Sequence, residues 1–296
     1  MSDDLRTAVN ATKALAMDAV QAANSGHPGA PMGLADAATV LWTRFLSVDP
    51  DDPTWPDRDR FILSNGHGSM LLYALLHLSG FPMPMDQLRS FRQWGSHTAG
   101  HPEVDQALGI ETTTGPLGQG FATGVGMAMA EAHLRARFGP DLVDHRVFGF
   151  VSDGDLMEGV AQEAASLAGH LGLGRIVYLY DANRISIDGS TDLTYTEAVA
   201  AKYDAMGWHT VTIDGHDHAA IAEGYEAAIA AEDRPSLIIA HTHIGHGSPG
   251  KQDSASAHGS PLGDDEVAAT RAAIGWDHPP FEVPASVYET FASAME

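Results

Sequence analysis

Residues 147–183 read V-F-G-F-V-S-D-G-D-L-M-E-G-V-A-Q-E-A-A-S-L-A-G-H-L-G-L-G-R-I-V-Y-L-Y-D-A-N. An apolar strand ends in Ser152-Asp153-Gly154, a helix-length amphipathic segment follows, and a second apolar strand ends in Asp181-Ala182-Asn183. This order predicts a parallel βαβ unit. It sets Asp153 and Asn183 at adjacent strand ends, where open parallel sheets bind ligands. A carboxylate, an amide oxygen and a nearby backbone carbonyl form a hard oxygen site, suited to Mg²⁺ or Ca²⁺ carrying a phosphate. Taken alone, the same residues also fit an ordinary loop with Asp153 as a helix N-cap.

The alternation continues on both sides. Helices are predicted over 4–23 (apolar face Leu5, Val9, Leu15, Val20), Gly33–Leu46, Met70–Leu78, Leu117–Phe138, 155–171, 195–206 and 217–231. Strands are predicted at Arg60–Ser64, His145–Val151, Arg175–Tyr180, Trp208–Ile213 and Ser236–Thr242. Such a chain is expected to be an α/β fold: a doubly wound, mainly parallel sheet with helices on both faces. The small residues Gly118, Gly120, Ala122, Gly124 and Gly126 give the 117–138 helix a smooth face for a sheet, a cofactor or another subunit. One domain is expected over 1–275, followed by a C-terminal tail, 276–296, with a turn at His278-Pro279-Pro280 and a last helix. The longest irregular stretch is Gly245–Ser260, and loops of that length are usually functional.

The chain has 296 residues, 44% of them hydrophobic, enough for a large core. No apolar run reaches membrane-spanning length. The opening M-S-D-D-L-R-T lacks the basic and apolar regions of a signal peptide, which points to the cytoplasm. There is no cysteine, hence no disulfide and no thiolate ligand or nucleophile. A net charge of −23 argues against nucleic-acid binding, which needs a basic footprint. With lysine only at Lys13, Lys202 and Lys251, a phosphorylated ligand would rely on histidine, metal or helix N-termini.

Of the 16 histidines, His27, His67, His101 and His258 sit in glycine-bordered, turn-like segments, where site residues gather. His133, His145, His170 and His278 lie in ordinary surface or core-edge settings.

Seven segments in order carry a resemblance. They are S-G-H-P-G-A-P-M-G at 25–33, S-N-G-H-G-S at 64–69, G-H-P-E at 100–103, T-G-P-L-G-Q-G at 114–120, S-D-G-D-L-M-E-G at 152–159, Y-D-A-N-R-I-S-I-D-G at 180–189 and A-H-G-S-P-L-G at 257–263. Over nearly its whole length the chain resembles the N-terminal, diphosphate-binding part of transketolase. The resemblance implies thiamine diphosphate and Mg²⁺ (or Ca²⁺) as cofactors. It implies Asp153, Asn183 and the Ile185 carbonyl as metal ligands, and Gly154 as the close approach to the diphosphate. His67 is implied at the diphosphate or reacting centre, Gly115 and Leu117 against the aminopyrimidine, and Ile187 against the thiazolium. Glu158 is implied in a carboxylate network between two cofactor sites across a subunit interface. His27, His101 and His258 are implied to line the substrate channel and handle hydroxyl and oxyanion protons, and His258 to touch the cofactor too. Ser152 replaces the first glycine of the family's G-D-G motif, and Ala182 stands where many relatives have a second aspartate. Ser96-His97-Thr98 and the 248–257 loop also depart from common members, which bears on substrate choice.

Full transketolases continue into a pyrimidine-binding domain and a third domain that this chain does not contain. The resemblance therefore implies the N-terminal subunit of a split transketolase. Such a subunit would transfer a two-carbon ketol unit from a ketose phosphate to an aldose phosphate, paired with a C-terminal subunit in an α₂β₂ assembly. The start of the sequence favours a split subunit over a fragment of a longer enzyme. A related subunit delivering the two-carbon unit to another acceptor, such as a carrier protein, is the alternative. A non-catalytic paralogue is a third reading, disfavoured by the presence of Asp153, Asn183 and the histidines.

Overall fold

A computed structural model of the chain describes residues 3–295. It begins with α1 (Asp3–Ala23) and α2 (Gly29–Arg44), then β1 (Arg60–Leu63), α3 (Ser69–Leu78), α4 (Met85–Arg89) and α5 (Gln119–Phe138). Next come β2 (Val147–Ser152), α6 (Asp153–Met157), α7 (Gly159–Leu171) and β3 (Ile176–Asp181), followed by a small hairpin, β4 (Ile185–Ser186) and β5 (Gly189–Ser190). The chain closes with α8 (Val199–Ala205), β6 (His209–Asp214), α9 (His218–Ala230), β7 (Ser236–His241), α10 (Asp264–Ile274) and α11 (Ala285–Met295). Five strands form one parallel sheet in the order β1-β2-β3-β7-β6.

Alternation along the strands sorts their side chains between two cores. Phe148, Phe150, Val177, Leu179 and Ile238 pack with α1, α2, α3, α9 and α11. Val147, Val151, Tyr178, Ile239 and their neighbours pack with α5, α7 and α8. This is the expected fold, with helices on both faces. Val287 and Phe291 of α11 are buried in the first core, beside residues of α1 and α2. Each such large apolar side chain contributes roughly 1.5–3 kcal/mol on burial. Among the described residues no helix is long and apolar enough to cross a membrane.

The chain crosses in one direction from β1 to β2, β3 and β6, then returns to insert β7 beside β3. The segments leaving β3 and β7 pass to opposite faces, and a crevice opens at the carboxyl edge between them.

Local departures from expectation have identifiable causes. The helix expected over 155–171 is two helices. Glu158 between them is extended (φ −76°, ψ 137°), and the backbone restarts at Gly159. The segment from 195 is helical only from Val199, because the hairpin and a 3₁₀ turn at Thr191–Leu193 occupy the chain before it. α2 begins at Gly29 rather than Gly33, with Pro31 tolerated in its first turn. α10 was not expected, although Asp264, Asp265 and Glu266 open it and Gly275 closes it in the left-handed region. Of the smooth α5 face, Gly120 and Gly124 point to the sheet. A Cβ on Gly120 would fall 2.6 Å from Ser64 Cα.

Candidate functional site

Loops from the carboxyl ends of β1, β2, β3 and β7 meet the start of α2 and the 114–118 turn around a cavity of about 440 Å³. The loop after β1 brings His67, held close because Gly66 lies against Thr114 and Gly115. The loop after β7 brings His258, and the turn before α2 brings His27. The rings of His67 and His258 stack, with centroids 5.1 Å apart. His27 stands edge-on to both, at 5.0 and 5.8 Å. Burial, reinforced by the neighbouring histidines, pushes His67 down to about 3. Burial, then His258, Arg92 and His101, pushes His27 down to about 4. Both rings are therefore neutral at pH 7 and able to accept a proton. His101 does not line the cavity. It is exposed and packs on Gly115, where a Cβ would fall 3.0 Å from its ring at φ +143°.

β2 and β3, whose exits also line the cavity, end in register, Ser152 beside Asp181. Asp153 is buried and accepts a hydrogen bond from the Tyr180 hydroxyl. Asp181, also buried, accepts from the Thr242 hydroxyl and, at 2.9 Å, from Asn183 Nδ2. Asn183 Oδ1 accepts the Ile185 N–H at 2.9 Å, and Arg184 between them takes φ +62°. This tight turn faces Asn183 and Ile185 into the cavity. Burial pushes Asp153 up to about 6 and Asp181 up to about 7. Neither carboxylate has an ion-pair partner among the described residues. Two buried carboxylates without a cation, beside an amide oxygen, fit a divalent ion.

Leu117, Ile187 and Ile244 supply apolar lining. Gly154 is tight against this wall: a Cβ would lie 2.7 Å from Leu117 Cδ1. Ile187, at the tip of the β4–β5 hairpin, is 62% exposed. The cavity thus brings carboxylates, apolar side chains and histidines into one lining, and this fits a ligand joining a diphosphate to an apolar ring. Glu158 stands apart. It is exposed at the α6–α7 break, its Cβ over Gly118, where an added Cβ would fall 2.7 Å away.

A family model described as transketolase, thiamine diphosphate binding domain, matches residues 5–296. The chain belongs to the transketolase family. It is 58% identical over 283 residues to the transketolase of Cereibacter sphaeroides, covering 95% of this chain and 43% of that protein. It is 56% identical over 286 residues to transketolase 2 of Escherichia coli K12, with 95% and 43% covered. The crystal structure of Campylobacter jejuni transketolase superposes on all of this chain and 46% of its own, at TM-score 0.96 and 42% identity. A Pichia stipitis transketolase in complex with sedoheptulose-7-phosphate matches 99% of this chain and 44% of its own, at TM-score 0.96 and 44% identity. The chain spans less than half the length of these transketolases.

Three polar residues in this transketolase domain escaped the sequence reading. Asp155 is fully buried. Its Oδ1 accepts from Ser64 Oγ at 2.7 Å and Gly118 N at 2.8 Å, and its Oδ2 accepts from Ser152 N at 2.9 Å. The S-x-x-D spacing of Ser152 and Asp155 is a capping-box signature that could have revealed it. Arg92 donates to Ser25 Oγ at 2.8 Å and lies 3.4 Å from His27 Nδ1. Its φ of +60° has no sequence signal. Asp181 read simply as a strand end, since its partner Thr242 lies just after distant β7.

Proposed function

We propose that this chain is the diphosphate-binding part of a thiamine diphosphate-dependent transketolase that moves a two-carbon ketol unit from a ketose phosphate to an aldose phosphate. The observation that carries the reading is one cavity lined both by Asp153 and Asp181, which have no ion-pair partner among the described residues, and by three neutral histidines. The sugar phosphate named in the Pichia complex supports this substrate class.

Asp153, Asn183 Oδ1 and the Ile185 carbonyl would hold Mg²⁺, and the metal would carry the diphosphate in a protein with few lysines. Gly154 would admit the diphosphate, while Leu117 and Ile187 would pack the cofactor's ring. The cofactor, when bound, supplies the nucleophilic carbon and the electron sink for carbon–carbon cleavage. The chain's own work is to place the sugar and move protons at its oxygens. His27, His67 and His258 are neutral, so each can take a hydroxyl proton as the bond breaks and return it when the acceptor adds. His101, at the Gly115 rim, would reach the outer hydroxyls. A pyrimidine-binding portion, on a partner subunit or on the same polypeptide, would complete the site, and Glu158 would face that assembly.

Calorimetric titration of thiamine diphosphate with and without Mg²⁺, repeated with Asp153→Ala, tests the reading. Binding that requires the metal and is lost in the variant is expected. Equal binding in all arms would overturn the metal-borne diphosphate. Activity is then assayed by adding xylulose 5-phosphate, ribose 5-phosphate and the pyrimidine-binding portion. Sedoheptulose 7-phosphate should form only with that portion present.

A further inference from the structure

A second cluster of ionisable groups lies behind the site. Asp36 of α2 is buried and central. Its Oδ2 meets Lys13 Nζ at 3.1 Å, His216 Nδ1 at 3.1 Å and His246 Nδ1 at 3.5 Å, and its Oδ1 meets His218 Nε2 at 2.8 Å. Lys13 Nζ also lies 3.0 Å from His246 Nδ1. The His216 and His246 rings are 3.6 Å apart.

The hydrogen bonds fix the protonation pattern. His216 Nε2 accepts the His243 N–H at 3.0 Å, so its Nδ1 carries the proton given to Asp36. Lys13, an ammonium beside a carboxylate, donates to His246 Nδ1, so that nitrogen is an acceptor. Asp36, His216 and His246 offer atoms close enough for a metal ion. The arrangement nevertheless opposes one. Lys13 already supplies the cation, and His216 Nδ1 is a donor.

His246 begins the stretch that ends at His258. This loop is clamped onto the first turn of α2, where Gly245 N–H donates to Gly29 O at 2.9 Å, and it is closed on itself, where Asp253 N–H donates to Ile244 O at 3.0 Å. Gly29 in turn lies against Ala257 O, next to His258. The latch and the catalytic-site histidine are therefore the two ends of one clamped segment.

We propose that His246 is a positioning residue, a proton-sensitive latch that holds the 243–258 loop, and through it His258, against the start of α2. A proton on His246 Nδ1 turns the Lys13 acceptor into a donor and sets two cations in contact. The groups facing it are Lys13 and Arg6 from α1, Asp36 from α2, His216 before α9, His218 on α9, and His243 and Asp253 on its own loop; α10 presents only Ala273 and Ile274. Burial opposes the proton, Asp36 favours it, Lys13 and His216 oppose it further, and His246 lies below its ordinary value. The latch is thus closed above the usual histidine value near 6.5 and weakens as pH falls below it. The inference rests on the proposed function only for the task of His258.

The test is amide hydrogen–deuterium exchange of the loop in the full chain without cofactor, between pH 7.5 and 5, corrected for the intrinsic pH dependence of exchange. Protection of the Gly245 and Asp253 amides should fall by up to about tenfold per pH unit below 6.5. His246→Phe, which keeps a planar ring without a titrating nitrogen, and His246→Gln, which keeps an acceptor for Lys13, should both remove that dependence. Melting curves at pH 7.5 identify any variant that does not fold, and the His246 ring titration read by NMR in the unaltered chain then decides. Protection independent of pH, variants as pH-dependent as the unaltered chain, or a ring titrating at or above 6.5 would each overturn the latch. None of these readings depends on cofactor binding, so failure of the calorimetric test would leave the latch standing.

Discussion

Asp155 accepts the backbone N–H of Gly118 at 2.8 Å, tying the exit of β2 to the entry of α5. With Ser64 and Ser152 on the same carboxylate, one buried group fixes three segments that border the cavity. Asp155→Asn keeps the shape but turns an amide N–H toward one of these donors. The expected loss is roughly 1–3 kcal/mol of stability, read by urea denaturation. An unchanged midpoint would show that the carboxylate does not hold these segments.

Gly154 has room for no side chain while Leu117 stays in place, yet Leu117 Cδ1 is the end of a flexible group. Gly154→Ala should therefore fold with a near-normal melting temperature. Displaced Leu117 and the new methyl would narrow the cavity, at about 1–2 kcal/mol of binding, or roughly tenfold in the Kd for thiamine diphosphate. Calorimetry beside a melting curve separates the two effects.

His27, His101 and His258 are set on loops rather than in the core. Their alanine variants should melt with the parent and lose two-carbon transfer by roughly 10²–10⁴-fold in the assembled enzyme. His101 is the outermost, so its loss should raise KM more than it lowers kcat. A variant that unfolds, or turns over normally, returns that residue to a structural role.

Arg92 helps to hold His27 below its ordinary value, as do burial and His258. A lowered folded-state value means that stability is present above pH 6.5 and is lost as pH falls toward about 4. Arg92→Gln removes a cation, so His27 should take up its proton at higher pH. The acid limb of the activity profile should shift upward in pH, while the acid limb of thermal stability becomes shallower. A profile unmoved by the variant would exclude the electrostatic coupling.

The sheet was legible because period-two alternation sends Phe148 and Phe150 to one face and Val147 and Val151 to the other. The convergence of Asp153 with Asn183 followed from strand parallelism alone. What stayed hidden depends on distant partners. The break at Glu158 comes with its seat against Gly118, the buried state of Asp181 with Thr242 just after β7, and the placement of Arg92 with a left-handed backbone. The Asp36 cluster joins α1, α2, the β6–α9 turn and the loop after β7, a meeting that local pattern does not encode. By contrast, α10 and the Ser152–Asp155 box carried readable signals.

The walls of the cavity are drawn from residues as far apart in sequence as His27 and His258, so no single strand or helix contains a binding-competent remnant. A chain with β7 undocked lacks both His258 and the Thr242 support of Asp181. Ligand occupancy is therefore a thermodynamic gauge of whole-sheet closure. By mass action, a ligand at a hundred times its Kd should add about 2.7 kcal/mol to the global unfolding free energy rather than to one loop.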